Sequence, residues 1–141
     1  MKKIFLAFII YFILLSSLKA LIEVDITRGN LDPLPIAVSP LHVDIKSEEY
    51  EGLKIKELGG NISAIIEKNF KSTGLFNPLK KDAFVQKPDI AHLKPRFEDW
   101  RLIKAQALVT GKLLVKDGKL KVEFRLWDLA AAKEMTALAF T

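Results

Sequence analysis

"ALVTGKLLVKDGKLKVEFRLWD", residues 107–128, decides the fold. Two runs of alternating apolar and polar residues flank Asp117-Gly118, a dipeptide suited to positive φ at both centres of a tight turn and hence a strong hairpin signal. A two-residue loop fixes the register. Lys116 then faces Lys119, Val115 faces Leu120, Leu113 faces Val122, and Gly111 faces Phe124. The pleat sorts the side chains: Val109, Leu113, Val115, Leu120, Val122, Phe124 and Leu126 share one face. Lys112 opposite Glu123 and Thr110 opposite Arg125 share the other. Phe124 is expected in the core, over the bare backbone of Gly111. Beyond residues 129–132, Lys133–Phe140 alternates again and adds a third strand to a meander.

Upstream of the hairpin, Pro95 suits the first position of a helix. Phe97, Trp100 and Ile103 recur at threes, so residues 96–104 read as a short amphipathic helix with Trp100 packed in the core. Residues 80–93 are polar and read as a surface loop with one short turn. Residues 48–73 read as the long helix, with Leu58, Ile62, Ile65, Ile66 and Phe70 as its apolar stripe. Gly59-Gly60 inside it implies either close packing against a sheet or a helix that starts near Leu58. Gly74 supplies a left-handed stop, and Phe76 to Leu79 leaves as an extended segment or turn. Before the helix, Ile36-Ala37-Val38 is a short strand. Residues 41–45 either continue it or form a separate edge piece.

At the N-terminus, Lys2 and Lys3 precede an unbroken apolar run over residues 4–15, followed by Ser16, Ser17 and Ala20. That is the layout of a secretory leader cut after Ala20; the run is shorter than the ~20 residues of a spanning helix, the alternative being an uncleaved anchor. Lys2, Lys3 and Lys19 would leave with it, lowering the formal charge from +5 by three, to +2. With that balance, and no basic cluster interleaved with aromatics, nucleic acid is not an expected partner. The absence of cysteine removes a lipoprotein anchor, a disulfide framework and a thiol nucleophile together. Cleavage would leave Leu21, Ile22, Glu23, Val24, Asp25, Ile26 and Thr27 at the new terminus. Ile22, Val24 and Ile26 alternate with Glu23, Asp25 and Thr27, as in a half-buried strand. Such a strand is either tied into the sheet edge or free to add to a partner's sheet.

The expected class is α/β: one mixed sheet packed against one long and one short helix, ending in a three-strand meander. Two helices do not cover five strands. Leu138, Phe140, Leu114 and Trp127 are therefore expected to lie partly bare, and the chain reads as incomplete at its C-terminus. No catalytic constellation is present. His42 and His92 have no metal-ligand spacing, Glu48, Glu49 and Glu51 read as a solvated helix start, and Gly59-Gly60 is not a phosphate loop. Neither a cofactor nor a small-molecule substrate is expected.

"VDITRGNLDPLPIAV" (24–38), "FKSTGLFNPL" (70–79), "ALVTGKL" (107–113) and "VEFRLWD" (122–128) together resemble the N-terminal domain of the TolB family of the Tol-Pal envelope system. The resemblance implies a periplasmic, non-enzymatic domain over residues 21–141, behind a signal peptide at 1–20. It further implies that residues 21–27 are a signalling strand for the inner-membrane protein TolA. In the family a further helix and a six-bladed propeller follow, and the propeller mainly binds the lipoprotein Pal. The chain reads as having neither, which leaves Pal in doubt as a partner. The other reading open from the residues is a free-standing periplasmic ligand- or peptidoglycan-binding domain, with Lys80-Lys81 and the loop to Pro95 as its surface.

Overall fold

The computed structural model describes residues 32–43 and 49–141. Its elements run β1 (Leu34–Val38), β2 (His42–Val43), β3 (Glu49–Tyr50), β4 (Leu53–Lys54), α1 (Ile55–Ser72), β5 (Phe76–Pro78), α2 (Pro88–Ala91), α3 (Phe97–Leu102), β6 (Ala107–Lys116), β7 (Lys119–Asp128) and β8 (Lys133–Phe140), with one 3-10 turn at Lys81–Ala83. The class is α/β with a mixed six-stranded sheet in the order β5-β1-β6-β7-β8, and β2 beside β6.

The hairpin forms as its turn demands. Asp117 and Gly118 take φ of +54° and +72°, and all ten pairs run in the expected register from Ala107↔Asp128 to Lys116↔Lys119. β8 extends the meander, with a bulge at Leu126/Trp127. The first half is parallel: β1 pairs with β5 on one side and β6 on the other. The chain crosses from β1 to β5 in one direction and from β5 to β6 in the other. Since parallel crossovers are right-handed, the two connections belong on opposite faces of the sheet.

Alternate residues of β1 report this arrangement. Ile36 and Val38 are buried with Val109 under Ile66 and Phe70 of α1 and against Phe124 and Leu126. Ala37 points the other way and is buried with Ala91, Trp100, Leu108 and Trp127, under α2 and α3.

Several expectations change. Residues 76–78 are a strand at the sheet edge, with the Leu34 N–H donating to the Leu75 carbonyl and the Leu79 N–H to that of Ile36. The long helix starts at Ile55, and the residues before it form the small β3–β4 pair around Glu51-Gly52. Its stripe runs through Ile55, Gly59, Ser63, Ile66 and Phe70. Ile65 is 60% exposed because it lies a quarter turn off that line. Gly59 is a close-packing glycine: a Cβ there would stand 2.7 Å from the Leu41 carbonyl oxygen, while one on Gly60 would meet nothing within 4 Å. The atoms over Gly111 come from Leu41 and from the backbone of Glu123, not from Phe124, and Phe124 is only half-buried.

Residues 80–93 are more than a surface loop. Phe84 meets Trp100 edge-on at 5.0 Å, and Gln86 is buried. The Gln86 Oε1 accepts from the Arg96 backbone N–H and from Trp100 Nε1. Trp127, expected partly bare, is buried instead. Phe97 of α3 meets it edge-on at 5.9 Å, and its Nε1 donates to Thr110 Oγ1. Leu138 and Phe140, on the face of α1, remain 55% and 56% exposed.

Candidate functional site

Ala20 and the strand Leu21–Thr27 read from the sequence lie outside the described residues. The chain enters them from Asp32-Pro33, which feeds β1 directly. β1 is an interior strand, hydrogen-bonded on both sides.

The two sheet edges differ as docking places. β5 offers three residues and ends in Pro78, which has no N–H to donate. β8 offers eight residues, paired among the described residues with β7 alone. Met135, Leu138 and Phe140 stand exposed along it, and Lys133 and Glu134 place charges at its start. Among the described residues, no strand pairs with the edge of β8 away from β7.

The loop read as an alternative recognition surface is anchored at Lys81, Gln86 and Ala91 and exposed at Val85, Ile90 and Leu93. Lys81 Nζ donates to Ser63 Oγ at 3.1 Å and lies 3.1 Å from Glu67 Oε1. That clamp ties the 3-10 turn to α1, while Lys80 is exposed and forms no ion pair among the described residues.

The hairpin carries the titratable cluster of the sheet. Glu123 lies 2.8 Å from Lys121 and 3.6 Å from Lys112. The hydrogen bond from Lys121, with the nearby Lys112 charge, holds its carboxyl below the usual range against the opposing effect of burial. A lowered folded pKa stabilises above the unfolded value and is lost as pH falls through the folded one. Glu123→Gln is therefore expected to cost up to about 1 kcal/mol at neutral pH and progressively less at acid pH, as the folded carboxyl takes up its proton. Urea melts at neutral and acid pH check this; a constant difference would show that the cost is not ionic. His42 and His92 stack at 4.2 Å, 6° from parallel, joining β2 to α2. Among the described residues no group of three or more His, Asp or Glu side chains is placed to hold a metal ion. No described helix is long and apolar enough to cross a membrane.

Residues 22–135 match the family model of the TolB amino-terminal domain. The chain belongs to that family. The TolB resemblance seen in the four sequence stretches is thus confirmed across most of the chain. A similar relative is "Tol-Pal system protein TolB" of Pelagibacter ubique (strain HTCC1062), 63% identical over 136 residues. The match takes in 95% of this chain and 30% of the relative, so the chain spans under a third of that relative's length. Among solved structures, TolB from Acinetobacter baumannii superposes with a TM-score of 0.56 at 17% identity, over 79% of this chain and 23% of that one. The LpoB C-terminal domain from Salmonella enterica gives 0.57 at 7% identity, over 80% of this chain and 84% of that one. At those identities the two share the fold of this TolB-type domain and nothing more is carried over.

Proposed function

We infer that the chain is a non-enzymatic, periplasmic component of the Tol-Pal system, exported by cleavage after Ala20. Residues 21–141 would be its TolB-type domain, and Leu21–Thr27 its signalling strand. That strand adds to a sheet of a TolA-like inner-membrane protein and so contributes to outer-membrane integrity and constriction during division. One observation carries the reading. The family match starts at Ile22 and includes the alternating segment, in a chain 63% identical to a TolB of that system. The position of the segment supports it as well. In sequence the segment lies ahead of β1, so as a processed terminus it would have no upstream connection to hold it.

Backbone hydrogen bonds would supply much of the affinity, and Val24 and Ile26 would fill shallow pockets. Proline at Val24 removes one donor, a loss of roughly 1 kcal/mol or more, about tenfold in affinity with the added misfit of the ring. Val24→Pro is expected to weaken TolA binding by that factor in calorimetry, with circular dichroism unchanged, in protein whose first residue is read as Leu21. Undiminished binding by a folded Val24→Pro variant rejects this strand as the contact. Binding to peptidoglycan that survives deletion of residues 21–27 would instead favour a wall-binding domain.

A further inference from the structure

The pleat gives the far half of the hairpin two unlike faces. Leu113, Val115, Leu120 and Val122 lie on the side of α1. On the other side stand Lys112 and Arg125, beside His92 and Leu93 at the end of α2, and farther out Leu114, Lys116, Lys119 and Lys121. The acids on that face are Glu123, held between Lys112 and Lys121, and Glu134, paired with Arg125 at 2.9 Å. Five cations against two acids leave a formal +3 on one sheet face. Lys116 and Lys119, opposite each other at the tip, are exposed and form no ion pair among the described residues. The Asp117 carboxylate in the turn is the single acid beside them.

The form of this face selects its partner. Four of the five cations are lysines, compact point charges without the planar fork that arginine offers a single carboxylate. The surface is an open sheet with cations on alternate residues of adjacent strands, ~7 Å apart along each strand and ~5 Å between strands. A hollow among its described residues, beside His92, Lys112, Glu123 and Arg125, measures about 50 Å³, room for water rather than for a peptide side chain. A flat array of point charges without a seat for side chains fits an extended anionic plane. A bilayer surface is such a plane, attracting lysines within a Debye length of ~10 Å.

We propose that this basic hairpin face rests on the anionic phospholipid surface of a membrane. It does so independently of any strand addition by residues 21–27. The test is co-sedimentation of the full chain with phosphatidylcholine vesicles, with and without phosphatidylglycerol, at low and raised salt. Two charge-reversed variants are compared: Lys116→Glu with Lys119→Glu at the tip, and Lys68→Glu with Lys71→Glu on the exposed side of α1. Both pairs change net charge equally, and neither side chain pair is packed, so melting curves are expected to match.

Binding is expected to require phosphatidylglycerol and to fall with salt. The tip variant is expected to lose about 25-fold or more, each of its two lysines near a charged bilayer being worth roughly fivefold, while the α1 variant loses much less. Equal losses in the two variants, or equal binding to both vesicle types, would overturn the proposal.

Discussion

Trp100→Ala is expected to lower the stability of the domain by about 3–5 kcal/mol, a large part of the 5–15 kcal/mol typical of a domain. The side chain is 1% exposed and joins three parts of one face. It packs with Ala37 and Leu108 of the sheet and with Ala91 of α2. Phe84 meets it edge-on, and its Nε1 donates to Gln86 Oε1 at 2.9 Å. Removing it opens a cavity and takes one of two donors from a buried amide oxygen. Trp100→Phe keeps most of the volume and is expected to cost less, about 1–2 kcal/mol, because Gln86 Oε1 still accepts from the Arg96 N–H. Urea melts of both variants give the comparison. A loss under about 1 kcal/mol for Trp100→Ala would mean that α2, α3 and the loop before them are not cooperative with the sheet.

The same region separates what local sequence can reveal from what it cannot. The β6–β7 register was legible to the last pair because the determinant is local: one Asp-Gly turn sets ten partners. β8, and the left-handed stop at Gly74 with φ of +71°, follow the same logic of short-range patterning. β5 is three residues long and contains proline, so no alternation can mark it. It exists because Leu34 and Leu79 find carbonyls across a parallel pairing. Burial of Gln86, Ala91 and Trp127 is equally non-local. A polar-looking loop becomes core once both crossovers obey one handedness and the second must cover the other sheet face.

The start of α1 was hidden for a different reason. Glu49–Tyr50 and Leu53–Lys54 pair across a turn with φ of +49° and +77° at Glu51-Gly52. Glu51-Gly52 is a weaker form of the Asp117-Gly118 signal, lost within an acidic run that also suits a helix N-terminus. As for the site, the family was legible in four short stretches, while the strand read at residues 21–27 lies outside the described residues. The basic hairpin face was half legible, since the register that aligned the lysines was known. Its exposure depended on where α2 and α3 stop.

Three glycines test the close contacts between α1, β2 and the hairpin. Gly111→Ala is expected to be the most costly, about 3 kcal/mol or more, at the upper end for overpacking. Its Cβ would run into the Glu123 carbonyl oxygen and stand 2.7 Å from Leu41 Cδ2. Neither can retreat: one belongs to the ladder of the paired strand, the other to a side chain only 5% exposed. Gly59→Ala meets the Leu41 carbonyl oxygen at 2.7 Å and Val43 Cγ2 at 3.2 Å. Helix propensity returns up to about 1 kcal/mol, so the expected net loss is about 1–2 kcal/mol. Gly60→Ala meets nothing within 4 Å and keeps only the propensity term, so it is expected to stabilise by up to about 1 kcal/mol. Denaturant midpoints at constant slope should thus fall in the order Gly60→Ala, wild type, Gly59→Ala, Gly111→Ala. A Gly59→Ala variant as stable as Gly60→Ala would mean that α1 does not rest on Leu41 and β2, and a neutral Gly111→Ala would mean the same of Leu41 over the hairpin.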